Sequence, residues 1–93
     1  MLNNGIGIQL YFSSGNEITS NTILDNDGTR TGISLFGSTD NTLRGNSVNY
    51  HSLAVQLLSG SSNNQIFENS FYYNSKAMSI GSADNNIYQN FPN

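Results

Sequence analysis

The chain has 93 residues, of which 35% are hydrophobic and 10% are charged, and its formal net charge is −3. This length allows one domain. The few basic residues exclude a phosphate-binding surface for nucleic acid, and no apolar run is long enough to insert into a membrane. There is no cysteine, which excludes disulfides and thiolate metal sites. Sixteen Asn, fourteen Ser and nine Gly favour turns over helices and predict an all-β chain.

Three short phrases recur in the same order along the chain. The first phrase is GIQL at 7–10, GISL at 32–35, AVQL at 54–57 and AMSI at 77–80. The second, Asn-x-(Ile/Leu)-x-x-Asn, is NEITSN at 16–21, NTLRGN at 41–46, NQIFEN at 64–69 and NNIYQN at 85–90. The third is NTILDN at 21–26, NSVNYH at 46–51 and NSFYYN at 69–74. The repeat is about 22 residues long, except where the polar segment DGTRT at 27–31 lengthens it.

Each phrase alternates apolar and polar residues but is too short to be an independent strand. Such a piece can pair only with its copy one repeat away, which predicts a parallel solenoid with three faces and about four coils. Fifteen apolar positions would then form four interior stacks: Ile8, Ile33, Val55 and Met78; Leu10, Leu35, Leu57 and Ile80; Ile18, Leu43, Ile66 and Ile87; Ile23, Val48 and Phe71.

The recurring asparagines mark the corners of the predicted coils. We expect two ladders of stacked amides, Asn16, Asn41, Asn64 and Asn85 at one corner and Asn21, Asn46, Asn69 and Asn90 at the next. Asn4, Asn26, His51 and Asn74 would mark the third corner. Asn tolerates the left-handed or bridge conformation that a corner needs, and its amide can donate to one coil and accept from the other. We interpret these residues as structural rather than ligand-binding.

This order of G-I-x-L and N-x-I-x-x-N-x-I-x-x-N resembles the repeats of the pectate-lyase-like superfamily, and NosD-like periplasmic proteins in particular. The resemblance implies a right-handed parallel β-helix with three short parallel sheets and no helix over residues 1–93. It also implies an extracellular, cell-surface or periplasmic location. The chain begins and ends within a repeat, which we interpret as a piece of a longer solenoid. The superfamily contains lyases, hydrolases, epimerases and non-catalytic modules, so the fold leaves the function open.

Acidic residues offer weak candidates for catalysis. Asp40 and Asp84 occupy the same repeat position two coils apart, about 10 Å from twice the strand spacing. Inverting glycosidases hold their two carboxyls at a separation of roughly 6.5–9.5 Å. Both residues precede a corner Asn, however, where Asp is an ordinary turn residue. Asp25, Asp27 and Arg30 surround the insertion, where we favour a solvated loop.

No metal site or cofactor is predicted. His51 is the only histidine and replaces Asn at the third corner, where its ring can make similar hydrogen bonds. One His without Cys gives a transition metal almost no ligands, which sets aside the copper association of NosD-like proteins.

Aromatic residues give the best binding signal. Phe67 and Tyr88 share one outward position with Thr19 and Arg44, and Tyr72 belongs to another outward position. Exposed aromatic rings on a polar surface suit stacking against sugar rings, and packing under loops, against a neighbouring domain or against another chain is an equally good explanation.

The leading function is therefore a non-catalytic structural or carbohydrate-contacting module. Phe67, Tyr88, Tyr72 and Arg44 are its candidate ligand residues. The alternative is the repeat portion of a polysaccharide-active enzyme. We also expect homo-oligomers that form through the coil ends or the aromatic face, because both would leave apolar surface exposed.

Overall fold

The computed structural model describes residues 6–24 and 30–91, and the strands in these ranges are all short. Their bounds are β1 Ile6–Tyr11, β2 Glu17–Thr19, β3 Thr22–Leu24, β4 Thr31–Phe36, β5 Thr42–Arg44, β6 Ser47–Asn49, β7 Leu53–Leu58, β8 Gln65–Phe67, β9 Lys76–Ile80 and β10 Asn86–Tyr88. Within the described residues there is no helix, and hence no helical segment that could cross a membrane. Asn4, Asn26, Asp25 and Asp27 lie outside the described residues.

Every strand pairs in parallel with its copy one repeat away. The first sheet has the order β1-β4-β7-β9, the second β2-β5-β8-β10, and the third consists of β3 and β6. Isolated bridges from Ser47 to Ser70 and from Ser70 to Phe91 continue the third face. The all-β parallel solenoid with three sheets, predicted from the sequence, is therefore confirmed.

The solenoid makes about three turns, fewer than the four coils expected. From β1 the chain passes around all three faces three times before it reaches β9. After β9, the described residues add one strand to the second sheet and reach the third face only with a bridge at Phe91. The fourth repeat is therefore an incomplete coil, and counting phrases overestimated the number of turns.

The register of the sheets is the one predicted from the apolar positions. Ile33 pairs with Ile8 on one side and Val55 on the other, and Leu43 lies between Ile18 and Ile66 in the second sheet. The stacks fill the interior, where the residues of the central coils are fully buried. In the first and last coils the stacks are covered less well, because each of these coils has a neighbour on one side only within the described structure.

The corners turn at a different residue from the one expected. The left-handed conformation is found at the residue before each ladder Asn, namely Gly15, Asp40, Asn63 and Asp84 at the first corner and Ser20, Gly45, Glu68 and Gln89 at the second. Of the two conformations expected for the ladder Asn, the left-handed one is therefore taken by the residue before it. The physical reason is that the preceding residue makes the bend, which leaves the N–H of the Asn directed at the neighbouring coil.

Candidate functional site

The outward surface of the second sheet carries two parallel rows of side chains. Each strand of this sheet has three residues, and the middle one points into the core. The first and third residues therefore point outward, because side chains alternate along a strand. Strand pairing aligns Glu17, Thr42, Gln65 and Asn86 in the first row and Thr19, Arg44, Phe67 and Tyr88 in the second.

Three members of the second row form one continuous stack. The rings of Phe67 and Tyr88 are nearly parallel, at 3°, with their centroids 4.9 Å apart. The guanidinium carbon of Arg44 lies 5.6 Å from the centroid of Phe67, and Arg44 Nε is 3.3 Å from Glu68 Oε1. Because Arg44 and Tyr88 are on the coils before and after Phe67, the two faces of the Phe67 ring are covered by these neighbours. A ligand can reach the edge of this ring but cannot lie flat on its face.

An open depression lies across the first three coils of this surface. It is lined by Glu17, Thr19, Ser20, Thr42, Arg44, Gly45, Gln65, Phe67 and Glu68. Among the described residues, the side chains of Glu17, Thr42 and Gln65 have no hydrogen-bond partner within the protein. The depression thus combines unused donors and acceptors with one charged pair and one aromatic edge.

The corner asparagines lie together in two ladders, and their amides are engaged within the fold. In the first ladder, Asn41 Oδ1 accepts from both the backbone N and Nδ2 of Asn16, and Asn64 Oδ1 accepts the same pair from Asn41. Asn85 Oδ1 accepts the corresponding pair from Asn64. The second ladder repeats this geometry through Asn21, Asn46, Asn69 and Asn90.

At the third corner the described pair is His51 and Asn74. The backbone N of His51 donates to Asn74 Oδ1 at 2.8 Å, and His51 is buried. This residue therefore occupies a ladder position in the fold and does not reach the depression.

A serine ladder was missed by the sequence analysis. Ser38 Oγ accepts from the N–H of Ser13 and donates to the carbonyl of Phe36, and Ser61 Oγ accepts from the N–H of Ser38. Ser82 Oγ in turn accepts from the N–H of Ser61. The signal was present in the sequence, because a Ser stands three residues before each Asn of the first ladder.

The two candidate acids lie apart from the depression. Asp40 and Asp84 are exposed, each has a positive φ, and Asn63 occupies the same position on the coil between them. They are the residues at which the first corner bends. Within the ranges 6–24 and 30–91, no three His, Asp or Glu side chains are grouped so that they could hold a metal ion.

Tyr72 belongs to a separate aromatic cluster on the third face. Its ring is 6.4 Å from that of Tyr73, which stacks on Tyr50 at 5.1 Å. A further cluster joins Tyr11 and Phe36, the last residues of β1 and β4, with Phe12. The structure therefore brings Arg44, Phe67 and Tyr88 together and places Tyr72 elsewhere.

Comparison with known proteins agrees with the architecture. The chain matches the family model described as periplasmic copper-binding protein (NosD) over residues 1–92. Neither the curated proteins nor the solved structures compared with the chain gave a match. The family is periplasmic, in agreement with the location predicted from the repeats. With a match over nearly its whole length and a parallel β-solenoid fold, the chain belongs to the NosD family.

Proposed function

We propose that this chain is a non-catalytic β-helix module of a periplasmic protein, and that the outward surface of its second sheet contacts a polysaccharide. The observation that carries the proposal is the open depression over β2, β5 and β8. A module of this kind needs a rigid surface with polar side chains that are not already hydrogen-bonded within the protein. The ladders hold the sheet in place, and the outward rows supply such groups.

The chemistry of the depression fits the hydroxyl groups of sugars. A hydroxyl both donates and accepts, and Gln65 and Thr42 each offer a donor and an acceptor, whereas Glu17 offers acceptors. Arg44 has five N–H donors, and only its Nε lies near Glu68. The exposed edge of Phe67 adds apolar contact for the carbon atoms of the ligand.

Catalysis finds less support in the same geometry. Glycoside hydrolysis requires two carboxyls on either side of one bond. Glu17 and Glu68 both line the depression on the first and third coils, and the spacing of strands places them roughly 10 Å apart along the solenoid axis, beyond the roughly 6.5–9.5 Å of an inverting pair. Glu68 is also held by Arg44. These positions favour a binding surface over an acid pair.

The copper that the family description names does not fit the described donor set. Copper prefers thiolate, thioether and imidazole ligands. The chain has no Cys, its one His is buried at a corner, and Met78 is packed against the core. We therefore propose no copper site within the described residues.

The test is affinity electrophoresis of the purified chain in native gels that contain one polysaccharide each. We expect retardation by at least one polysaccharide and loss of about five-fold in affinity for Gln65→Ala, from a net hydrogen bond of about 1 kcal/mol. Gln56→Ala is the matched control, because Gln56 lies on the first sheet between Val55 and Leu57. Retardation by none of the polysaccharides, or equal losses for the two variants, would refute the proposal.

A further inference from the structure

We infer that the glycan bound at the second sheet is neutral or carries amino groups, and that glycans built from uronic acids bind more weakly. The inference rests on the proposed function, since it specifies the ligand of the same depression. The charges that line the depression and the ion pair between two of them favour such a ligand.

The charges at the depression sum to a negative value. Glu17, Glu68 and Arg44 are the charged residues of its lining, so two carboxylates face one guanidinium. The remaining basic residues of the chain, Arg30 and Lys76, do not line it. A bound uronate would bring a further carboxylate close to Glu17, where like charges repel.

The guanidinium of Arg44, which lines the depression, already has a carboxylate partner. Arg44 Nε lies 3.3 Å from Glu68 Oε1, and the guanidinium carbon lies over the ring of Phe67. A ligand carboxylate that accepts from the remaining N–H groups of Arg44 would lie close to Glu68, whose negative charge would repel it. A hydroxyl accepts from the same N–H groups without that repulsion.

The first outward row supports the same ligand class. Thr42 and Gln65 are uncharged, and Glu17 stands at the end of their row. Threonine and glutamine bind hydroxyl or acetamido groups without a charge requirement, and a carboxylate at the end of the row favours an ammonium group over an anion. The two uncharged side chains and the carboxylate of this row thus favour a glycan without acidic groups.

The experiment compares three oligosaccharides of equal length by isothermal titration calorimetry. They are oligomers of N-acetylglucosamine, which are neutral, of glucosamine, which carry amino groups, and of galacturonate, which are acidic. We expect the neutral and amino oligomers to bind and the acidic oligomer to bind at least ~10-fold more weakly, from like-charge repulsion at short range. Added salt should strengthen binding of the acidic oligomer, because it screens that repulsion.

Two variants that each remove one carboxylate test whether the charge at the depression weakens binding of the acidic oligomer. Glu17→Gln should strengthen binding of the acidic oligomer about three- to five-fold, from one charge interaction near the surface. Asp84→Asn is the control, because Asp84 is exposed and outside the depression, and Asn occupies the same position at Asn63. It should leave every affinity within about two-fold, since exposed charges outside the site are screened by solvent and salt.

The outcomes separate this inference from the proposed function. Preferential binding of the galacturonate oligomer, lost in Arg44→Gln, would overturn the inference and leave the polysaccharide-binding function standing. An equal gain for Glu17→Gln and Asp84→Asn would also overturn it, because the effect would come from net charge alone. If none of the three oligosaccharides binds at millimolar concentration, the proposed function and the inference fall together.

Discussion

Replacing Asn64 by Ala tests whether the amide ladders hold the coils together. Asn64 is fully buried, and its side chain takes part in four hydrogen bonds. Nδ2 donates to the carbonyl of Ser38 at 3.0 Å and to Asn85 Oδ1 at 3.0 Å. Oδ1 accepts from the backbone N of Asn41 at 2.9 Å and from its Nδ2 at 3.1 Å. One side chain therefore connects three successive coils.

The expected cost follows from the groups that lose their partner. In Asn64→Ala the N–H of Asn41 and the carbonyl of Ser38 become buried and unsatisfied. Asn41 Nδ2 keeps its bond to the Ser13 carbonyl, and Asn85 Oδ1 keeps the N–H of residue 64. An unsatisfied buried group costs about 1–3 kcal/mol, so the free energy of unfolding should fall by about 2–6 kcal/mol.

The measurement is urea unfolding followed by circular dichroism, with a neighbouring variant as the control. Asn63→Gly changes an exposed side chain at a position with φ of 56°, where Gly is well tolerated and where Gly15 stands in the first coil. We expect this control to lose less than about 1 kcal/mol. Equal losses for the two variants, or a loss below about 1 kcal/mol for Asn64→Ala, would refute the energetic role of the ladder.

Three further substitutions and one measurement of association give additional tests. Asn64→Asp should destabilise the protein least below about pH 4 and increasingly as the pH rises. The reason is that burial beside carbonyl oxygens raises the folded-state pKa of the new carboxyl above its unfolded value of about 3.9. Urea titrations at several pH values check this, and a loss of stability that does not depend on pH would contradict it. Ser38→Ala should lower the free energy of unfolding by about 1–2 kcal/mol, because it removes a member of the serine ladder. The control Ser62→Ala should change it little in the same urea assay, since the Ser62 hydroxyl has no partner in the described structure. Equal losses for the two variants would refute the role of the serine ladder. Gly32→Ala should lower the free energy of unfolding by about 1–3 kcal/mol, because the added Cβ would lie 2.7 Å from the carbonyl oxygen of Ala54. An unchanged melting temperature would contradict this and would show that β4 and β7 can move apart to admit the methyl group. Sedimentation equilibrium of the 10.1 kDa chain at micromolar concentration should reveal association, because β1 and β9 are the edge strands of the first sheet, and a monodisperse monomer would contradict this.

The repeat register could be predicted from the sequence because one periodicity governs every face. Once NTLRGN is aligned with NQIFEN, Leu43 must lie beside Ile66, since a shift of one residue would turn one of the two side chains outward. The same alignment places Arg44 beside Phe67 and Phe67 beside Tyr88. Strand pairing and the composition of each row therefore follow from counting residues.

The remaining features depend on atomic detail that the alignment does not contain. The bend at Asp40 rather than Asn41 reflects backbone angles, and Asp and Asn both tolerate the left-handed region. The parallel stacking of Phe67 on Tyr88 follows from side-chain rotamers. It reverses the expected use of Phe67, because the face predicted to bind a sugar is covered and the edge remains.

Variation among the repeats separates structural positions from candidate binding positions within this one chain. The first and second corners carry Asn in every copy, and these residues are engaged in hydrogen bonds between coils. By contrast, the two outward rows of the second sheet carry a different residue in each of the four copies.

A position whose side chain must fit the neighbouring coil has few solutions, and the same one recurs at each turn. A position that faces outward has no such constraint, so its side chains can differ in size and charge along the axis. A ligand that lies along this axis would meet a non-repeating series of groups on a repeating scaffold, and for that reason its specificity would come from the second sheet and its stability from the corners.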